Sequence, residues 1–191
     1  MSGLNLQMFI YLFNLCNDKN SALSGTPSGV LYMHAARNIF KFDSRSQASD
    51  NILKEEESSF KMKGIILADE DGDIPRAMEN DLLGKHIPVK AKANGDLTGK
   101  LATLEQLGLI NKKINQLVSQ MGLELHLGNI RHNPIKNSRH KTTCDYCDYK
   151  DVCANKRLIE NRVVLELSDK EVFEELEKEF CNDATVDNTT E

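Results

Sequence analysis

Three of the chain's five cysteines fall within ten residues, Cys144-Asp-Tyr-Cys147-Asp-Tyr-Lys-Asp-Val-Cys153, in the spacing Cys-x2-Cys-x5-Cys. Two thiolates separated by two residues can turn back onto one metal centre, and the third leaves one ligand to find. Clustered thiolates favour zinc or an iron–sulfur centre, because soft sulfur matches those metals. The alternative is a loop whose cysteines never meet a metal. Cys16 sits inside an apolar helical stretch and Cys181 is placed beyond an acidic helix, so neither is an obvious fourth ligand. His140 would complete a three-cysteine, one-histidine zinc site. A residue outside this chain is the remaining source.

Composition narrows the class. At 191 residues the chain can bury a core, and its net charge of −5 argues against coating nucleic acid by bulk charge. No run of about 18 apolar residues is present, so no spanning helix is expected. The N-terminus lacks the basic region of a secretory signal. The odd cysteine count and metal-like spacing fit a reducing cytoplasm.

Taken in order, Gly3–Asn17 reads as a helix that is apolar around most of its circumference, hence buried. Gln7, Tyr11, Asn14 and Asp18 form one polar stripe along it. Gly29–Ala35 predicts a strand ending near His34, which is expected to be a satisfied histidine at a core edge. Ile52–Lys63 predicts a helix, and Gly64–Ala68 a short strand or buried turn. Helix, loop and buried strand together belong to an α/β layer. Asp69-Glu-Asp-Gly-Asp73 lacks the Gly and Glu positions of an EF-hand and reads as a solvated turn. Ile87–Ala91 is an edge strand because Pro88 excludes a central one, with Asn94-Gly95 turning after it. Ala102–Met121 is helical, capped by Thr103 and stopped by Gly122, with Leu104, Leu107, Ile110, Ile114, Leu117, Val118 and Met121 on its core face.

Residues 131–143 hold the four fixed cations Arg131, Lys136, Arg139 and Lys141, two histidines and no acid. A basic loop beside a metal knuckle suits a phosphate backbone, although it also reads as a plain solvated loop. Residues 160–191 reverse the balance, with eleven acids against three cations. Ser168 and Glu171 form a capping box for a C-terminal helix, and the final residues read as a disordered tail.

The ordered set Gly3–Leu12 with Gln7 and Tyr11, Pro27-Ser-Gly-Val-Leu-Tyr32, Phe60-Lys-Met-Lys-Gly-Ile-Ile-Leu-Ala-Asp69, Asn133-Pro-Ile-Lys136 and the cysteine run resembles one family over residues 3–157. It is similar to the C-terminal end of the B subunit of the bacterial ATP-dependent helicase/deoxyribonuclease, the AddAB type, a RecB-like nuclease of the PD-(D/E)xK class that processes double-strand breaks. The resemblance implies an α/β fold, the C-terminal half of a restriction-endonuclease-like core, over residues 1–130. A basic and iron–sulfur segment follows at 131–157, then an acidic helix and tail at 158–191. It implies that Gln7 and Tyr11 flank the active site and DNA, and that Cys144, Cys147 and Cys153 are three of four ligands of a 4Fe–4S cluster. Arg131, Lys136, Arg139 and Lys141 would then face DNA. Mg²⁺ in the full nuclease and a helicase/nuclease A subunit are the implied cofactor and partner.

In that family the first cluster cysteine and the catalytic Asp…Asp-x-Lys group precede the Gln-x3-Tyr helix, and only six residues precede Gln7 here. The expectation is therefore a chain that begins inside a nuclease domain and cuts no DNA alone. The competing class is a free-standing, non-enzymatic zinc or iron–sulfur module using the three cysteines and His140.

Overall fold

The computed structural model describes residues 6–35, 52, 56–130, 133–136, 142–153, 162–164 and 167–183. The chain divides into two compact units, one of Gln7–Asn111 and one of Met1–Leu6 with Lys112–Glu191.

The first unit is mixed α/β. Helix α1 (Gln7–Asn17) leads into strand β1 (Gly29–Tyr32), which pairs antiparallel with β2 (Lys63–Leu67). Helix α2 (Asp73–Met78) and the hairpin β3 (Val89–Ala91) and β4 (Leu97–Gly99) then carry the chain across to β5 (Leu101–Ala102). β5 lies parallel to β2, with Ile66 opposite Leu101 and Leu67 opposite Ala102. A parallel neighbour requires such a crossover, whereas β1 and β2 could have been joined by a tight turn. The expected strands at Gly29 and Gly64 therefore form, and the Asn94-Gly95 turn closes its hairpin through the Lys92 N–H to Asp96 carbonyl bond of 2.8 Å.

Ile66, Leu82, Ile87 and Val89 form the core, with Leu31, Met62, Ile74, Leu97 and Leu101 packed against it. Burying a side chain such as Ile66 or Ile87 stabilises by about 1.5–3 kcal/mol. A buried carboxylate fixes the route past this core. Glu79 is 8% exposed and accepts the backbone N–H groups of Lys85, His86 and Ile87 at 3.0, 3.0 and 3.1 Å. Three successive amides form an anion nest, and here a side chain of the same unit fills it. Burial pushes the Glu79 carboxyl up, but the amides of Lys85, Ile87, His86 and Gly84 together outweigh it and hold the group below its ordinary value.

Four expectations are corrected in this unit. The expected burial of α1 does not form: Phe13 is its one buried residue, and Met8 and Leu15 are exposed. Apolar circumference alone does not bury a helix; a second covering layer is needed, and among the described residues one face is covered. The predicted 52–63 helix is helical at residue 52 and at 56–59, and Lys63 already belongs to β2. The Asp69–Asp73 stretch is more than a solvated turn. Asp69 is half-buried, and its Oδ2 accepts the N–H groups of Asp73 at 2.6 Å and Ile74 at 3.2 Å, which starts α2. His34 is exposed rather than set at a core edge.

Helix α3 (Leu104–His126) begins in the first unit and continues in the second. Its start is a reciprocal cap: Thr103 Oγ1 accepts the Gln106 N–H at 3.2 Å, and Gln106 Oε1 accepts the Thr103 N–H at 3.0 Å. Leu107 and Ile114 are buried as predicted, but Leu104, Val118 and Met121 are exposed. Gly122 does not stop the helix. Glycine costs only about 1 kcal/mol in a helix interior, and the helix runs on to His126 and is closed by Gly128 just beyond it. That residue, at φ 69°, closes a Schellman pair through Gly128 N–H to Leu125 and Asn129 N–H to Glu124.

In the second unit β6 (Ile135–Lys136) lies parallel to β7 (Arg162–Val163), so part of the expected basic loop is a strand. A 3-10 helix follows at Thr143–Tyr146. Helix α4 (Asp169–Asp183) starts at the expected box, with Glu171 Oε2 accepting the Ser168 N–H at 2.7 Å and its Oγ–H at 2.6 Å. Lys113 of α3 is paired with Glu179 of α4. Ile114, Phe173 and Leu176 are buried in this unit. Cys181 lies within α4, not beyond it. Of the last ten residues, expected as a disordered tail, Asn182 and Asp183 still belong to α4, and residues 184–191 lie outside the described set.

Candidate nuclease-flank and cysteine sites

The polar stripe of α1 separates into distinct bonds. Gln7 Nε2 donates to the Tyr11 hydroxyl at 2.8 Å, and both side chains are exposed. Helical spacing of four puts the two groups one above the other, which makes the bond geometrically cheap. Because Tyr11 Oη accepts here, its own proton is left to point at a ligand. Asn14 instead donates back to the Ile10 carbonyl at 2.8 Å, and Asp18 Oδ1 accepts the Asn20 N–H at 3.0 Å. The stripe is thus one outward pair followed by local backbone bonds.

The cysteine run is a series of tight turns. Thr142 and Asp145 cap the 3-10 helix, with Asp145 Oδ2 accepting the Thr142 N–H at 2.8 Å. Cys147 N–H bonds the Cys144 carbonyl at 3.2 Å, and Cys153 N–H bonds the Tyr149 carbonyl at 2.9 Å. Cys144, Cys147 and Cys153 are free thiols and half-buried, whereas Tyr146, Tyr149 and Val152 between them are 78%, 71% and 82% exposed. Along the turns the cysteines are thus more covered than the aromatics between them.

Donor chemistry fits a thiophilic metal, but position does not. Among the described residues no group of three or more His, Cys, Asp and Glu side chains is arranged to hold a metal ion. The same holds for a hydrolytic metal at Asp69, Asp71 and Asp73. Asp69 Oδ1 is buried without a hydrogen-bond partner among the described residues, yet no second and third carboxylate join it. Lys136 is half-buried in β6, and its carbonyl accepts the Val164 N–H at 2.9 Å. Arg131, Arg139, His140 and Lys141 lie outside the described residues.

Sequence reading missed Glu79, whose role depends on amides several residues away. It also missed that Tyr32 of β1 stands directly opposite Lys63 of β2. The alternation Lys61-Met62-Lys63, apolar between two cations, was the available signal for the second.

Among the described residues, no helix is long and apolar enough to cross a membrane. The family profile of the PD-(D/E)XK nuclease superfamily matches residues 2–154. Similar curated proteins carry the name of the B subunit of the ATP-dependent helicase/deoxyribonuclease. That of Ruminiclostridium cellulolyticum is 34% identical over 161 residues, 79% of this chain and 13% of the relative. That of Clostridium acetobutylicum is 30% identical over 190 residues, 95% of this chain and 16% of the relative. That of Clostridium novyi is 32% identical over 188 residues, 93% and 16% respectively. The chain thus spans less than a fifth of the length of these relatives. It belongs to the PD-(D/E)XK nuclease superfamily.

Proposed function

We propose that this chain serves a DNA-end-processing exonuclease of the kind formed by the helicase/deoxyribonuclease B subunit, acting in double-strand break repair and recombination. The observation that carries the reading is the Gln7–Tyr11 pair, exposed on α1 inside the segment matched to the nuclease superfamily. An amide and a hydroxyl tied to each other and facing solvent can donate to a phosphodiester without leaving a buried group unpaired. DNA is the substrate and a helicase/nuclease A subunit the partner in this reading. Residues 1–130 form the nuclease part, 131–157 the cysteine segment and 158–191 the acidic end. Arg131, Lys136, Arg139 and Lys141 add phosphate contacts.

Nucleases of this superfamily use Mg²⁺, which stabilises the charge that builds on a phosphodiester during hydrolysis. The acids described here do not gather into such a site, so no hydrolytic step is assigned to them.

Cys144, Cys147 and Cys153 would contribute three thiolates to a 4Fe–4S cluster, with one further ligand. Three half-buried free thiols on one ten-residue segment support this. When bound, a cluster of this kind would act as a covalent clasp between the segment and the residue that supplies the fourth ligand.

The test is a chimera. This chain replaces the segment of the Ruminiclostridium cellulolyticum protein that it matches. Mg²⁺-dependent DNA cleavage retained by the chimera, and lowered by Gln7→Ala, is the expected result. A folded chimera that binds its A subunit and cuts no DNA would overturn the reading.

A further inference from the structure

A second surface of the first unit carries chemistry that the nuclease reading does not use. An open cleft of about 740 Å³ is lined by Tyr32, Lys61, Lys63 and Lys100, with His34, Ser58 and Ser59 among its remaining polar groups. Among the described residues lining it there is no Asp or Glu. In a chain of net charge −5, three lysines around one cleft make a local cationic patch against the overall sign.

The fold fixes how these groups come together. Tyr32 and Lys63 are direct partners in the β1–β2 register, so their side chains leave the same face of the sheet side by side. Met62 packs against the core, which turns its neighbours Lys61 and Lys63 the other way, and both are exposed. Met62 itself is pinned by its N–H to the His86 carbonyl at 2.7 Å. Lys100 sits at the corner between β4 and β5. Its N–H bonds the Pro88 carbonyl and its carbonyl accepts the Ile66 N–H, both at 3.0 Å. The backbone holds each of the three lysines in place.

The aromatic decides the ligand class. Tyr32 is 43% exposed and Met33 beside it is 71% exposed, so a ring and a thioether stand open at the edge of a cationic cleft. A phosphate alone would not need the ring, and a stacked duplex base could not reach it. Unpaired bases stack on aromatic faces while lysines follow the backbone, and the combination tolerates any sequence. We propose that this cleft binds single-stranded nucleic acid, with a base on Tyr32 and neighbouring phosphates on Lys61, Lys63 and Lys100. The inference rests on the nuclease reading only in choosing DNA as the strand. Its role is to hold a strand at a place apart from Gln7 and Tyr11.

The experiment uses the 191-residue chain and a fluorescein-labelled oligothymidylate, read by anisotropy across a salt series. Lys61→Glu/Lys63→Glu is expected to weaken binding at least tenfold and to make the salt slope shallower by about 1.4, two single-strand contacts at about 0.7 each. Tyr32→Ala is expected to lose roughly tenfold, and Tyr32→Phe to keep the affinity, because stacking uses the ring and not the hydroxyl. The control Lys19→Glu/Lys92→Glu changes charge equally outside the cleft and is expected to retain more affinity than the cleft pair. If the glutamate pair fails to fold by circular dichroism, Lys61→Gln/Lys63→Gln replaces it with the same expected direction. Equal binding by wild type and cleft variants, no binding by wild type, or preference for duplex would each overturn the cleft. So would displacement of the strand by thymidine monophosphate or inorganic phosphate at the strand's own concentration. A cleft that passes while the chimera cuts nothing would sink the nuclease reading alone, and the reverse would sink the cleft alone.

Discussion

Gln7 donates to the Tyr11 hydroxyl across one turn of α1, at 2.8 Å and in solvent. An exposed pair of this spacing contributes only about 0.2–0.5 kcal/mol to a helix. Gln7→Ala and Tyr11→Phe should therefore leave the urea unfolding midpoint of the chain nearly unchanged. Cleavage by the chimera should fall about tenfold, the worth of one hydrogen bond to a charged group. A loss of stability above about 1 kcal/mol with unchanged cleavage would make the pair structural.

Glu79 makes the opposite case, a carboxylate whose partners are all internal. Glu79→Ala strands the amides of Lys85, His86 and Ile87 in a buried turn and should cost about 3 kcal/mol. The pH dependence follows in sign. Burial raises the carboxyl and the amides lower it further than burial raises it, so the folded value lies below the ordinary 4.5. The unfolded chain then binds the proton more readily, and the stabilisation is present above pH 4.5 and lost as pH falls through the folded value. Acid unfolding of Glu79→Gln should show a shallower loss in that window than wild type. Parallel acid limbs would remove Glu79 from the account.

How far the sequence carries can be seen at single positions. Local signals read well: the Thr103 and Ser168 caps and the Asn94-Gly95 turn form where side chain and backbone chemistry place them. β2 is legible because Gly64-Ile-Ile-Leu is apolar and short, and it becomes the middle strand of its sheet. Readings that need a distant partner fail. The burial of α1 depends on what covers it, and the carboxylate of Glu79 finds its amides only after the chain turns at Leu82, a buried residue at φ 45°. The Gln7–Tyr11 pair was legible from i, i+4 spacing alone. The cationic cleft was not, because it needs the β1–β2 register, which sequence does not display.

Two glycines test opposite sides of this argument. A Cβ on Gly64, at φ 151°, would lie 1.9 Å from the Val30 carbonyl oxygen. The β1–β2 pairing cannot open without losing its bonds, so Gly64→Ala should cost more than about 3 kcal/mol or give insoluble protein. Gly122 lies inside α3 with nothing within 4 Å of its added Cβ. Gly122→Ala should stabilise by about 0.5–1 kcal/mol, read as a higher thermal midpoint. A destabilised Gly122→Ala would mean that the helix does break there, as its sequence first suggests.

The last prediction concerns the half-buried thiols. Cys144, Cys147 and Cys153 are free and half-buried on one segment, while Tyr146 and Tyr149 between them are exposed. Purified without oxygen and reconstituted with iron and sulfide, the chain should take up both and show the broad visible absorbance of an iron–sulfur chromophore. Each of Cys144→Ser, Cys147→Ser and Cys153→Ser should reduce iron content severalfold, because a hard hydroxyl replaces a soft thiolate. Cys16→Ser, in α1 of the other unit, should not. The readout is metal content and absorbance, so it does not depend on catalysis. Stoichiometric zinc with no iron, lost on His140→Ala, would replace the cluster by a zinc site of three cysteines and one histidine. Uptake of neither metal, with all three thiols reacting freely with a thiol reagent, would leave the segment as a turn whose cysteines only pack.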